Sequence, residues 1–280
     1  MSLLGGREVR ELVHGAGVRP SKHRGQNFLC DPNVVRRIVA VAEVAAGERV
    51  LEVGVGVGSL TAGLVDAGAD VVGVEVDPRL AEVAAGVAPG ARIVVADAAA
   101  VDWGGVLGAQ PSTKMVSNLP YAVGTSVLVD LLDGVAALRT FVVMVQREVG
   151  ERLVAGPGDD AYGAVSVKVA YHGAARLAGR VPPTVFWPRP EVDSVLVRID
   201  RHERPRVDTG RDALYGVVTA AFGQRRKTVR NALGAGGWAP ERVEAALAAC
   251  GVDTRARAET LGLEDFAALT RALGARAVGA

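Results

Sequence analysis

Short apolar runs alternate with helical stretches from Arg49 to Asp97: RVLEVGV, a helix over Leu60 to Ala67, DVVGVEV, an alanine-rich helix, then ARIVVAD. Runs of four to eight mostly β-branched residues, without clean polar alternation, predict strands covered on both faces of a parallel sheet. The alternation continues through KMVSNLP, a helix near 124–134, and TFVVMVQ. VAYHGAARLAGRV and VDSVLVRID are expected to supply the last, partly antiparallel strands. The fold class this predicts is α/β, a Rossmann-like domain with a small all-helical domain after it. Asp31 before Pro32, followed by Val34, Val35, Ile38 and Val39, predicts a helix with an aspartate cap and proline in its first turn.

At Asp200 the pattern breaks into RHERPRVDTGRD, a polar, proline-containing stretch that reads as a linker. Helical spacing resumes near 211–222, 226–233, 240–249 and 264–273. The expected division is therefore 1–200 and 201–280. No fixed-period repeat is present, and the alanine, glycine and valine enrichment carries no functional signal.

Length and composition then narrow the class. With 280 residues, 49% hydrophobic and 22% charged, the chain can bury a core and is neither disordered nor collagen-like despite 35 glycines. Its formal charge of +1 means that a nucleic-acid partner must be held by local patches. One such patch is the stretch 1–40, read as a basic arm, where seven basic residues face three acids. Cys30 and Cys250 are far apart and lack histidine pairs, so neither a disulfide framework nor a metal site is expected. No run of eighteen apolar residues exists, and no signal peptide is evident. A soluble, cytoplasmic monomer is expected.

Candidate chemistry begins at Glu52-Val-Gly54-Val-Gly56-Val-Gly58, which follows a strand and opens a helix. Glycines there bring backbone amides toward a ligand. Dinucleotide enzymes carry G-x-G-x-x-G; this G-x-G-x-G after an acid is the form typical of S-adenosylmethionine (SAM) methyltransferases, with a nicotinamide site as the alternative and a ligand-free turn as the plainer one. Glu75 closes the next strand, where a carboxylate can accept from ribose hydroxyls; otherwise it is a solvated strand-end acid. Asp77 reads as a helix cap. Asp97, after the third strand, can accept from an adenine amine or simply cap its loop.

Asn118-Leu119-Pro120-Tyr121 ends the fourth strand, where open α/β sheets bind ligands. An exocyclic amine on a base is a poor nucleophile because its lone pair is delocalised. The Asn118 oxygen and the carbonyl of Leu119 or Pro120 can hold the amine hydrogens, and Tyr121 offers a stacking face. The alternative is a plain N-x-P-x turn. Further along, Phe222 to Arg230 carries Arg225, Arg226, Lys227 and Arg230 with no acid, enough for several phosphate contacts. The alternative there is a solvated helix face.

Taken together, GQNFL at 25–29, LEVGVGVGSLT, Glu75, Asp97, NLPY, VMVQREVGERLVAGPG, VPPTVFWPRPEVDS and FGQRRKTVRNAL resemble the KsgA/RsmA family of small-subunit ribosomal RNA adenine N6-dimethyltransferases, whose wider group includes the Erm resistance methyltransferases. The resemblance spans nearly the whole chain. Val55 stands where that family usually has proline. By resemblance, Gln26, Asn27, Leu29, Gly54, Gly56, Glu75, Asp97 and Asn118 would line the cofactor pocket. Phe186 would form a second aromatic wall that sandwiches a flipped adenine with Tyr121. The resemblance further implies SAM as cofactor, the small ribosomal subunit and its RNA as partner, and two adjacent adenosines near the 3′ end, each dimethylated during late subunit assembly. The alternatives are an Erm-like large-subunit enzyme and a non-catalytic assembly factor.

Overall fold

A computed structural model describes residues 3–20, 26–108, 114–120, 124–224 and 226–274. In chain order the elements are α1 (Gly6–Gly15), β1 (Phe28–Leu29), α2 (Pro32–Ala42), β2 (Arg49–Val53), α3 (Ser59–Asp66), β3 (Asp70–Glu75), α4 (Pro78–Val87) and β4 (Arg92–Val95). There follow α5 (Trp103–Leu107), β5 (Lys114–Asn118), α6 (Gly124–Gly134), β6 (Thr140–Gln146), α7 (Arg147–Val154), α8 (Ala164–His172), β7 (Gly173–Val181), β8 (Phe186–Trp187) and β9 (Ser194–Arg201). The last helices are α9 (Arg211–Phe222), α10 (Val229–Ala235), α11 (Pro240–Ala249) and α12 (Leu263–Leu273).

The chain forms two compact units, one of residues 1–150 and 175–201, the other of 151–174 and 202–280. In the first, the main sheet has the order β4-β3-β2-β5-β6-β9-β7, and β2 to β6 run parallel while β9 runs antiparallel to β6. The fold is the expected Rossmann-like α/β arrangement. The chain builds outward from β2 through β3 to β4, then returns to the other side of β2 as β5. That reversal leaves a crevice at the carboxyl ends of β2 and β5, where Gly54 and Asn118 sit.

Local sequence explains the elements that frame this crevice. The Asp31 side chain accepts from Asn33 N and Val34 N, and Pro32 occupies the first turn of α2, as its spacing predicts. Asp77 caps α4 in the same way. The salt bridge from Arg79 holds the Asp77 carboxyl below the usual aspartate range, and Arg79 Nη1 also donates to Gly17 O at 3.1 Å. The core of this unit gathers Ile38, Leu64, Val71, Met144 and Leu196 around the sheet.

Four expectations need correction. The stretch 1–40 is no simple arm: α1 buries Val9 and Val13 against Phe28, Val57 and Leu80, so two well-spaced valines suffice to dock a charged helix. Val169 to His172, expected as strand, belongs to α8; only Gly173 onward is extended. The boundary at 200 misses that residues 151–174 belong to the second unit, because Tyr162, Val167 and Tyr171 pack with Leu214, Val218 and Phe266. Finally, Arg226 and Lys227 precede α10, which starts at Val229 behind a Thr228 cap, so they lie on a turn and not on a helix face.

Candidate active site

A cavity of about 410 Å³ opens at the crevice. Gln26, Asn27, Phe28 and Leu29 line it from the segment before α2, Gly54 and Gly56 from the turn after β2, Glu75 and Asp97 from the ends of β3 and β4, and Asn118, Leu119 and Pro120 from β5. The eight residues expected to hold a cofactor are thus brought together. Its size lies in the usual range for small-molecule sites.

The turn after β2 is clamped from three sides. Gly54, Gly56 and Gly58 have φ of +76°, +59° and +85°, values that side-chain-bearing residues seldom adopt. A Cβ on Gly54 would stand 3.0 Å from the Pro120 ring, one on Gly56 3.1 Å from the Phe28 ring, and one on Gly58 3.1 Å from Ala84 Cα. Val55 is buried, and its Cγ2 fills the space that a Cβ on Gly73 would take. The valine found in place of proline therefore anchors the turn by packing. Pairing between β2 and β5 stops at Leu51 and Met115, and the Val53 N–H is met by Ser117 Oγ at 2.9 Å. This side-chain substitute lets the two strands part and open the crevice.

Glu75 is buried; its Oε2 accepts from Gly56 N at 2.8 Å and its Oε1 from Asp77 N at 3.0 Å. Each carboxylate oxygen keeps a lone pair for a ligand hydroxyl. Asp97 Oδ1 caps Ala99 N at 2.9 Å, so its loop-capping role is real, and Oδ2 takes no hydrogen bond among the described residues. Asn118 Nδ2 donates to Asn27 O at 3.3 Å. A carbonyl can only accept, so the amide must present nitrogen to it, and Oδ1 is left without a donor among the described residues. Pro120 O accepts from Gly124 N at 2.8 Å, whereas Leu119 O takes no such bond there. Asn118 Oδ1 and Leu119 O therefore form the available acceptor pair.

Other expected residues fall elsewhere. Tyr121 and Arg225 lie outside the described residues. Phe186 is 5% exposed, pairs with Leu29 across β1 and β8, and packs in the core with Met144 and Leu196; it does not line the cavity. Its neighbour Trp187 stacks on Phe28 with ring centroids 6.5 Å apart. In the second unit Arg226 and Lys227 are exposed, while Arg230 Nε donates to Glu244 Oε1 at 2.8 Å. The acid missing from the basic run is supplied by α11.

Sequence reading assigned no role to Glu52 beyond its place before the glycines. It is 1% exposed within β2, lines the cavity, and accepts from Thr61 Oγ1 at 2.7 Å. Burial pushes its carboxyl up to about 8. The signal was legible: an acid inside a strand whose neighbours are all apolar. Phe28, which the sequence motif GQNFL carries without a role of its own, both packs in the core and walls the cavity.

Comparison with known proteins agrees with this geometry. The model for the family described as ribosomal RNA adenine dimethylase matches residues 19–273. The chain belongs to that family. This makes it an rRNA adenine methyltransferase with SAM as its methyl donor. Among its relatives, the ribosomal RNA small subunit methyltransferase A of Kineococcus radiotolerans is 48% identical, covering 99% of this chain and 95% of its own, and that of Leifsonia xyli subsp. xyli is 50% identical, covering 96% and 98%. Solved structures of the same fold include a dimethyladenosine transferase from Plasmodium falciparum (TM-score 0.72, 22% identity, 86% of this chain and 95% of that one) and the 23S rRNA methyltransferase ErmE (TM-score 0.66, 27% identity, 88% and 99%).

The dimethylase's own residues fit a SAM-sized, cationic ligand. The glycine turn forms a cradle that any Cβ would fill, and carboxyl groups line the cavity from within β2, from the end of β3 and from just beyond β4. At the start of α3, the buried Ser59 Oγ has no hydrogen-bond partner among the described residues. Among the described residues no group of acids, histidines or cysteines suits a metal, and no helix is long and apolar enough to cross a membrane.

Proposed function

We propose that this chain dimethylates N6 of two adjacent adenosines near the 3′ end of small-subunit rRNA, acting as a cytoplasmic monomer on the assembling small subunit. The observation that carries the reading is the pair Asn118 Oδ1 and Leu119 O, which accept no hydrogen bond from the described residues and lie beside the clamped glycine turn in one cavity. Relatives named as small-subunit methyltransferases, at 48–50% identity over nearly the full chain, favour the small subunit over the 23S rRNA of ErmE, at 27%.

In this reading Gln26, Asn27, Leu29, Gly54, Gly56, Glu75 and Asp97 hold the donor, whose sulfonium supplies the methyl group. Asn118 Oδ1 and Leu119 O accept from the two amine hydrogens of a flipped adenine, which turns the nitrogen lone pair out of conjugation and toward the methyl carbon. The bound donor would supply its methyl to that nitrogen, its carbon–sulfur bond breaking as the carbon–nitrogen bond forms, and the surplus proton on nitrogen would pass to water. No covalent enzyme intermediate is needed; positioning supplies the catalysis. For the second transfer one hydrogen remains, and one acceptor suffices to orient it. Tyr121 would stack on the base, while Phe186, packed in the core behind Leu29, supports the wall from outside the cavity. Arg226 and Lys227, with Arg225, would contact RNA phosphates, while Arg230 is partly neutralised by Glu244.

A methyl-transfer assay with labelled SAM tests the reading directly. Immature small subunits should take up label as dimethyladenosine at two adjacent positions. Label confined to naked large-subunit RNA would identify an Erm-like enzyme, and subunit binding without label a non-catalytic assembly factor.

A further inference from the structure

Glu52 is a buried acid without a counter-charge among the described residues. Its Oε2 is held by Thr61 Oγ1, and its Oε1 accepts no hydrogen bond from the described residues although the side chain lines the cavity. The groups that face it are uncharged or negative. From β3 comes Glu75, whose charge opposes ionisation of Glu52; α3 contributes Thr61, bonded to it, and Ser59, and β5 contributes Asn118, both of which line the same cavity. Burial and Glu75 push the carboxyl up, against the Thr61 hydrogen bond that pulls it down. A carboxylate in such a place needs a cation, and the described residues bring none to it.

We propose that Glu52 is a proton-linked counter-ion of the cofactor cavity: neutral in the free protein, it releases its proton to water when the cationic methyl donor binds. The step is a simple acid dissociation, with the carboxyl proton passing to solvent and the negative charge left on Glu52 balancing the donor's positive charge. It rests on the reading that this cavity takes SAM. Thr61 then acts as a positioning residue, because its hydroxyl favours the ionised form.

Calorimetry of SAM binding to the full chain without RNA, in buffers of different ionisation enthalpy, counts the protons released. At pH 6.5 the wild type should release about one proton more per SAM than Glu52→Gln. Between pH 6 and 7.5 its Kd should fall by close to tenfold per pH unit relative to that variant. The donor's own amino group titrates alike in both proteins, so the difference isolates Glu52. Thr61→Val should move the midpoint of this dependence to higher pH, and carbon NMR should see the wild-type Glu52 carboxyl titrate in the free protein and ionise fully at pH 6.5 once SAM is bound. Saturable binding with equal proton counts in wild type and Glu52→Gln, or with the carboxyl still protonated in the complex, overturns the inference alone. Absence of saturable binding by the wild type overturns the cofactor reading and this inference with it.

Discussion

Between Val53 and Ser59 each glycine of the turn is held by a neighbour, Gly54 by Pro120, Gly56 by Phe28 and Gly58 by Ala84, and the Gly56 amide is tied to the Glu75 carboxylate before any ligand arrives. Ahead of the Thr228 cap, Lys227 N donates to Gln224 O, and Arg226 and Lys227 are exposed to solvent. The first arrangement suits a small ligand that is enclosed on most sides, since pre-set donors and acceptors spare the ordering cost of binding. The second suits phosphates, which respond to charge and reach more than to fixed geometry. Substitutions should therefore act steeply in the first region and gradually in the second.

Among substitutions that act on cofactor binding, the largest effect is expected at Gly54→Ala. A methyl group there meets the Pro120 ring while the backbone stays left-handed, a strain of about 1–3 kcal/mol. SAM binding should weaken by about tenfold to a hundredfold, measurable by calorimetry. Glu75→Ala removes the acceptor for Gly56 N and Asp77 N and should raise the SAM dissociation constant by about tenfold. An unchanged constant would take Glu75 out of the site.

Stability should carry the mark of Glu52. Its folded carboxyl titrates at about 8, above an ordinary value of 4.5, so between those values the native state binds more protons than the unfolded chain. The free protein should then lose stability as pH rises from 4.5 toward 8, by on the order of a few kcal/mol, and Glu52→Gln should flatten that decline in denaturant titrations. The smallest effect is expected in the basic turn. Replacing Arg226 and Lys227 by alanine should lower the slope of log affinity for small subunits against log salt by about 1 to 2, with SAM binding unchanged.

How much of this was legible in the sequence differs between the same two regions. β-branched runs, glycine spacing and strand-end acids located the sheet, the turn, Glu75, Asp97 and Asn118, because each is a local pattern with a local cause. What long-range packing decides was not legible. In α8 Val165, Val167 and Val169 alternate as in a strand, yet burial of Val167 and Tyr171 among the C-terminal helices makes the segment helical and moves it to the second unit. In the basic run the sequence shows four cations, but the pairing of Arg230 with Glu244 depends on α10 and α11 meeting. Phe186 shows the same limit. Its motif was recognisable, but its place in the core follows from β8 pairing with β1, two residues against two, which no periodicity announces.

The central claim is that Asn118 Oδ1 orients the reacting amine and leaves cofactor binding to the rest of the cavity. Single-turnover methyl transfer to immature small subunits, alongside SAM calorimetry, measures both halves for Asn118→Ala. The account predicts turnover reduced by about a hundredfold or more with the SAM dissociation constant little changed. Near-normal turnover, or a loss explained entirely by weaker SAM binding, would contradict it.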